Sequence, residues 1–353
     1  MRLPRGWVGV ALVAVVGCGG DAEGPMDAGL DVGGGRDAGS CPPPLGAAVP
    51  RAASPTDYPM DDVLRVSDIQ AKGTHNSYHI EPPAAHPDWM YTHAPLDVQL
   101  DAQGVRKLEL DVSWSERCGR FEVYHIGFLD ELTTCRLFTE CLATIRRWSD
   151  AHPGHHPIFV QIETKDTFDA DDAPARYDSL DAEIRSVFPE ELLITPDLVR
   201  GAHLSVAEAI ATDGWPTLGE VRGRVLFFLD RGGEQRDLYL VAHDGLAGRV
   251  LFVDGSATDS FAVVHVRNDP GAQFDEIQAL VRAGHLVRTR ADDDSTLARA
   301  LDSGAHATST NWPVPVDGHD FSLTIPGGTP SRCNPVSAPA GCTPEAIEHP
   351  SRL

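Results

Sequence analysis

The segment Ala71-Lys72-Gly73-Thr74-His75-Asn76-Ser77-Tyr78-His79 decides how the chain is read. A β-leaning run, Val66 to Gln70, leads into it, and a Pro-rich stretch, Pro82 to Pro87, follows. His75 and Asn76 therefore stand where a strand gives way to a loop. Side chains alternate faces along a strand, so two adjacent polar residues share one site only where the strand frays. Barrel enzymes keep their chemistry at that end of their strands.

Working outward, strand-like runs alternate with helical patterns from about Thr56 onward, which argues an α/β fold with a parallel sheet. Eight strands are expected: Val66–Gly73, Val105–Val112, Phe121–Ile126, Pro157–Glu163, Arg224–Leu229, Ala262–Val266, Leu286–Thr289 and Ala305–Ser309. The clearest helix runs from Leu132 to His152 and ends at Pro153-Gly154. Residues 189–223 and 231–260 read as irregular excursions. No repeat or second-domain boundary interrupts residues 57–353, which read as one TIM-type (β/α)8 barrel, distorted in its second half, with a C-terminal extension.

Strand parity is the informative feature. Lys107, Glu109 and Asp111 share one face, and Leu108, Leu110 and Val112 share the other. Similarly, Gln161, Glu163 and Lys165 oppose Ile158, Val160 and Ile162. The outer face of such a barrel packs on helices, so the polar sets point inward. Buried carboxylates are costly unless paired or bound to a cation. An antiparallel sheet with one wet face is the alternative, and the lack of tight hairpin turns speaks against it.

The strand-end set is His75, Asn76, Glu109, Asp111, His125, Glu163 and Lys165. Its oxygen donors suit Ca2+ or Mg2+ better than zinc or copper. Two histidines remain for proton transfer near neutral pH. A divalent cation, two histidines and a lysine suit phosphodiester cleavage.

The remaining sequence bounds the setting. Of the 353 residues 52 are acidic and 29 basic, a net charge of −23, which excludes nucleic-acid binding through a basic face. Arg2 and Arg5, then the apolar run Trp7–Val16, then Gly17-Cys18, read as an export signal over residues 1–18 with a lipobox cysteine. Cys18 would carry a lipid anchor to the outer membrane or cell surface. Residues 19–56, rich in Gly, Asp, Ala and Pro, read as a disordered tether with a reach of roughly 35 Å. The remaining six cysteines suggest disulfides. Cys333–Cys342 is the expected short loop. Cys135 and Cys141 would sit on different helix faces if one helix held both, and Cys118–Cys135 is the alternative.

Four segments carry a family resemblance: Gly73-Thr74-His75-Asn76-Ser77-Tyr78, Lys107-Leu108-Glu109-Leu110-Asp111-Val112, Tyr124-His125-Ile126-Gly127 and Gln161-Ile162-Glu163-Thr164-Lys165-Asp166. Together they resemble the phosphatidylinositol-specific phospholipase C superfamily, and within it the bacterial calcium-dependent branch. Leu286 to Asp294 and Ala305 to Trp312 look like its closing strands. The resemblance implies His75 and His125 as catalytic residues and Asn76, Glu109, Asp111 and Glu163 as calcium ligands. It implies attack of an inositol 2-hydroxyl on phosphorus, releasing diacylglycerol and a cyclic inositol phosphate. His125 would be the general acid; His75, Glu109 and Glu163 are the candidate bases. Lys165, Arg290 and Trp312 are the expected substrate contacts, with Arg288 sharing the parity of Arg290. The Trp89-Met90-Tyr91 loop either meets a bilayer or packs back. The expected partners are a phospholipid and a membrane surface, with the chain a monomer. A glycerophosphodiester phosphodiesterase is the competing enzyme reading, but its first histidine is normally followed by Arg-Gly, whereas Asn76-Ser77 follows His75. A non-catalytic binding lipoprotein is the other. His79, His86, His93, His152, His155, His156 and His243 read as surface histidines.

Overall fold

The parallel order of the strands follows from the apolar runs that the helices cover. The computed structural model describes residues 41, 48–49, 58–83, 86–327 and 330–353. The export signal, Cys18 and the tether up to residue 40 lie outside the described residues.

Ten strands form in chain order: β1 Ile69–Thr74, β2 Lys107–Ser115, β3 Arg120–Val123, β4 Ile158–Thr164, β5 Val225–Leu229, β6 Phe252–Val253, β7 Val264–Val266, β8 Leu286–Arg290, β9 Ala307–Thr310 and β10 Ser331–Cys333. Eight of them make the barrel, in the order β6-β5-β4-β2-β1-β9-β8-β7, all neighbours parallel. It is the TIM-type barrel of the phosphodiesterase kind, nearly closed: no hydrogen-bonded register links β6 to β7 among the described residues.

Leu108, Leu110, Val112, Ile158, Val160 and Ile162 are all buried on the outer face. The helix Phe138–Ala151 packs its buried stripe of Phe138, Leu142, Ile145 and Trp148 in the main core. That spacing is the one-sided apolar stripe of a core-facing helix.

Two expectations need correction. Phe121–Ile126 is not a barrel strand. β3 folds back antiparallel on β2, pairing Val112 with Val123 and Ser115 with Arg120. The signal was the turn at Glu116–Gly119, where Gly119 takes a φ of 59° that favours glycine. The eighth barrel strand is instead β6, inside a stretch that reads as irregular because only two residues pair. The disulfide expectation also changes. Cys135 bonds Cys141, because the helix starts only at Phe138 and leaves Cys135 free to fold over its first turn. Cys333–Cys342 forms as expected.

The C-terminal extension closes the far end. β10 pairs antiparallel with Ile69–Ala71 and takes the edge of β1 that β2 occupies only higher up, at Gly73–Lys107. Behind it, the buried Glu348 carboxylate accepts from Arg106 Nε at 3.1 Å and from the His156 amide at 3.0 Å. His156 Nε2 also meets Ser331 Oγ at 2.6 Å. His155 and His156 at this end, and His79 and His93 at the mouth, are buried rather than on the surface. Among the described residues, no helix is long and apolar enough to cross a membrane.

Candidate active site

The acidic part of the mouth is built from the register of two strands. Asp111 on β2 is paired in register with Glu163 on β4, and Glu109 with Gln161. Register partners share a face and lie about 4.8 Å apart, so the carboxylates converge. Glu109, Asp111 and Glu163 each offer an oxygen, all within 4.8 Å of one another. Asp111 is fully buried, with the Lys165 ammonium beside its carboxylate. Three converging carboxylates, two of them buried, are what a hard cation would satisfy, so these residues fit calcium.

In this form side-chain cations balance the charge. Lys165 Nζ lies 3.1 Å from both Asp111 and Glu163. Glu109 Oε2 is 2.6 Å from Lys107 Nζ and 2.8 Å from Arg288 Nη2. Burial works against the Glu109 anion, but Lys107 and Arg288 outweigh it and hold the carboxyl well below its usual range. Burial, with the Glu163 charge adding to it, pushes Asp111 well up. Lys107 passes the barrel wall beside Gly73, where a Cβ would meet Lys107 carbons at 3.0 Å.

At the end of β1, Asn76 adopts a left-handed φ of 45°, which asparagine tolerates better than most residues. That kink breaks the strand alternation and lets His75 and Asn76 serve one mouth. His75 Nε2 lies 3.8 Å from Glu109, and its Nδ1 is 2.9 Å from Asn311 Oδ1. Asp292 accepts from the Asn311 amide at 2.8 Å and so fixes that partner. Burial pushes His75 down to about 3, so the imidazole is neutral at physiological pH. Asn76 is buried and hydrogen-bonded to the Tyr91 hydroxyl.

His125 comes from the hairpin side, in the loop after β3. Its Nδ1 is 2.8 Å from Asp130, and its ring stands perpendicular to that of Trp89 with 5.6 Å between ring centres. Around it the rim is apolar and exposed: Phe128 at 87%, Leu129 at 66% and Met90 at 54%. Tyr91, by contrast, is buried and stacks on His79, so the Trp89-Met90-Tyr91 loop is part rim and part core.

The other expected contacts divide. Lys165 joins the carboxylates. Arg290 pairs with Asp292 at 2.6 Å. Trp312 stacks on His319 at 3.7 Å between ring centres and packs with the Phe321 cluster. Sequence reasoning left out Asp130, gave no site role to Lys107 or His79, and weighed Arg288 only as a substrate contact. Lys107 and Arg288 carried a signal, since each shares the inward parity of its strand. Asp130 carried none, because its partners come from two different loops.

Residues 64–123 and 119–335 match the family model described as phosphoinositide phospholipase C, Ca2+-dependent. The chain belongs to that family. It is a phosphoric diester hydrolase, and its metal is calcium. Its fold is similar to a Ca2+-dependent phosphatidylinositol-specific phospholipase C from Streptomyces antibioticus, with 22% identity and a TM-score of 0.55, over 71% of this chain and 96% of that one. A calcium-dependent phosphoinositol-specific phospholipase C from Pseudomonas sp., in its apo form, matches with 18% identity and a TM-score of 0.61, over 80% of this chain and all of that one. The same Pseudomonas enzyme, solved as a myoinositol complex, matches with 19% identity, a TM-score of 0.61 and the same coverage. No curated protein sequence matches the chain significantly.

Proposed function

We propose that this phospholipase C-family enzyme cleaves phosphatidylinositol-type lipids into diacylglycerol and a cyclic inositol phosphate. The observation that carries the reading is the convergence of Glu109, Asp111 and Glu163 within 4.8 Å, with His75 3.8 Å from Glu109. Asn76, Glu109, Asp111 and Glu163 hold calcium. When bound, calcium supplies positive charge that stabilises the phosphorane-like transition state. Lys165, beside two of the ligands, contacts phosphate, and Arg290 and Trp312 line the substrate side. His125 gives its proton to the departing glyceride oxygen. Glu109, clamped by Lys107 and Arg288, acts as ligand rather than proton acceptor, which leaves His75 and Glu163 as the bases for the inositol 2-hydroxyl.

Two features support a lipid substrate with an inositol head. The exposed Phe128, Leu129 and Met90 form an apolar rim beside His125, suited to an amphipathic molecule drawn from a bilayer. The Pseudomonas relative binds myoinositol. The disulfides Cys135–Cys141 and Cys333–Cys342 fit export to an oxidising compartment. Anchoring through a lipidated Cys18 belongs to the same proposal and is tested by the mass of the mature N-terminus.

The deciding experiment is a mass-spectrometric assay of purified protein on phosphatidylinositol and glycerophosphoinositol, with calcium or excess chelator. A cyclic inositol phosphate formed from the lipid only with calcium is the expected result. Cleavage of glycerophosphoinositol alone would overturn the lipid assignment.

A further inference from the structure

Asp130 is fully buried and touches two imidazoles from two different loops. Its Oδ2 accepts from His125 Nδ1 at 2.8 Å, and both its oxygens lie 3.0 Å from His79 Nε2. His79 has no exposed surface. Its Nδ1 faces the Tyr91 carbonyl oxygen at 2.9 Å, and its ring stacks on the Tyr91 ring at 4.3 Å. Each of its ring nitrogens thus lies within hydrogen-bond distance of an oxygen, so the ring is held from both sides. Its backbone is pinned as well: its amide donates to the Asn76 carbonyl at 2.9 Å, and its carbonyl accepts from the His93 amide at 2.9 Å. An antiparallel bridge joins it to Thr133.

This is an oriented relay. His79 belongs to the loop after β1, which carries His75 and Asn76; His125 and Asp130 belong to the loop after β3. Asp130 is the side-chain link between the two. A carboxylate that takes Nδ1–H of an imidazole fixes its tautomer and ring plane.

We propose that Asp130, held in place by His79, is the positioning residue for His125, committing Nδ1–H to the carboxylate and turning Nε2 to the departing oxygen. The inference rests on the proposed role of His125 as acid. In that step the inositol 2-oxygen bonds phosphorus while its proton passes to the base. The bond from phosphorus to the glyceride oxygen breaks while the Nε2 proton passes to that oxygen. A misaligned His125 therefore matters for an alkoxide leaving group, and little for one that departs as a stable anion.

Asp130→Asn and His79→Gln test this, each assayed on phosphatidylinositol and on the p-nitrophenyl ester of inositol 1-phosphate. On the lipid, Asp130→Asn should lose roughly 10²-fold in kcat and His79→Gln roughly tenfold, with KM little changed. On the aryl ester both should stay within about threefold of wild type, since nitrophenolate leaves without a proton. Calcium-induced thermal stabilisation should persist in both. Equal losses on the two substrates, or no loss on the lipid, would overturn the positioning role; should Asp130→Asn not fold, His79→Gln decides alone. If the wild-type enzyme cleaves neither substrate, the inositol-lipid reading itself fails and takes this one with it.

Discussion

Lys165 Nζ lies 3.1 Å from the fully buried Asp111 carboxylate. The ammonium stands where part of a divalent cation's charge is needed, so binding calcium means displacing it. Lys165→Met should tighten calcium binding by roughly fivefold, as expected for removing a competing ion pair worth about 1 kcal/mol. The metal-free variant should also melt lower. Calorimetric titration measures the first effect, and weaker binding would show that Lys165 supports the metal instead.

The carboxylates themselves are tested by Asp111→Asn and Glu163→Gln. Each should remove calcium-dependent stabilisation and reduce turnover at least about 10²-fold. Excess chelator should do the same to the wild-type enzyme. Full activity in chelator would disprove the metal assignment.

The far end of the barrel makes a separate prediction. Breaking a buried ion pair leaves an uncompensated charge, so Glu348→Ala should cost about 3–5 kcal/mol in denaturant melts by stranding Arg106. The proposed catalytic residues lie at the opposite end, so the folded fraction should keep its turnover.

Acid should unfold the protein through the same region. Burial pushes His155 down to about 3 and His156 to about 4. Between there and the ordinary histidine value near 6.5 the unfolded chain binds more protons, so stability falls as pH drops through that window. Burial opposes the Glu348 anion, but Arg106 and His156 hold its carboxyl at about 2, so its contribution is present above roughly 4.5 and lost below. Urea midpoints should be flat above about pH 6.5 and drop steadily toward pH 4. A midpoint rising on acidification would contradict the buried-neutral histidines.

The apolar rim is tested by the double substitution Phe128→Ser with Leu129→Ser. Exposed apolar side chains contribute little to stability but much to interfacial partitioning. Vesicle binding measured by sedimentation should weaken by roughly tenfold, with the melting temperature unchanged. Unaltered vesicle binding would place the lipid contact elsewhere.

How much of this was legible beforehand follows from period and register. The alternation along Lys107–Val112 and Ile158–Lys165 already separated an inward polar face from an outward apolar one, because a parallel barrel buries both faces and only cations make inward carboxylates tolerable. That argument reached Glu109, Asp111, Glu163 and, through the strand end, His75. It failed at β3, where a run of alternating residues says nothing about strand direction. It failed at β6, where two paired residues are too few to leave a pattern.

Composition and spacing by themselves determined the barrel class, the acidic mouth and the oxygen-rich donor set, since each depends only on which face a residue takes along its own strand. Only the tertiary structure decided that Arg288 and Lys107 clamp Glu109, that Cys135 bonds Cys141, and that Asp130 joins His79 to His125. Those contacts join segments whose separation along the chain carries no periodic signal, and they exist only once closure of the sheet brings distant loops over one mouth.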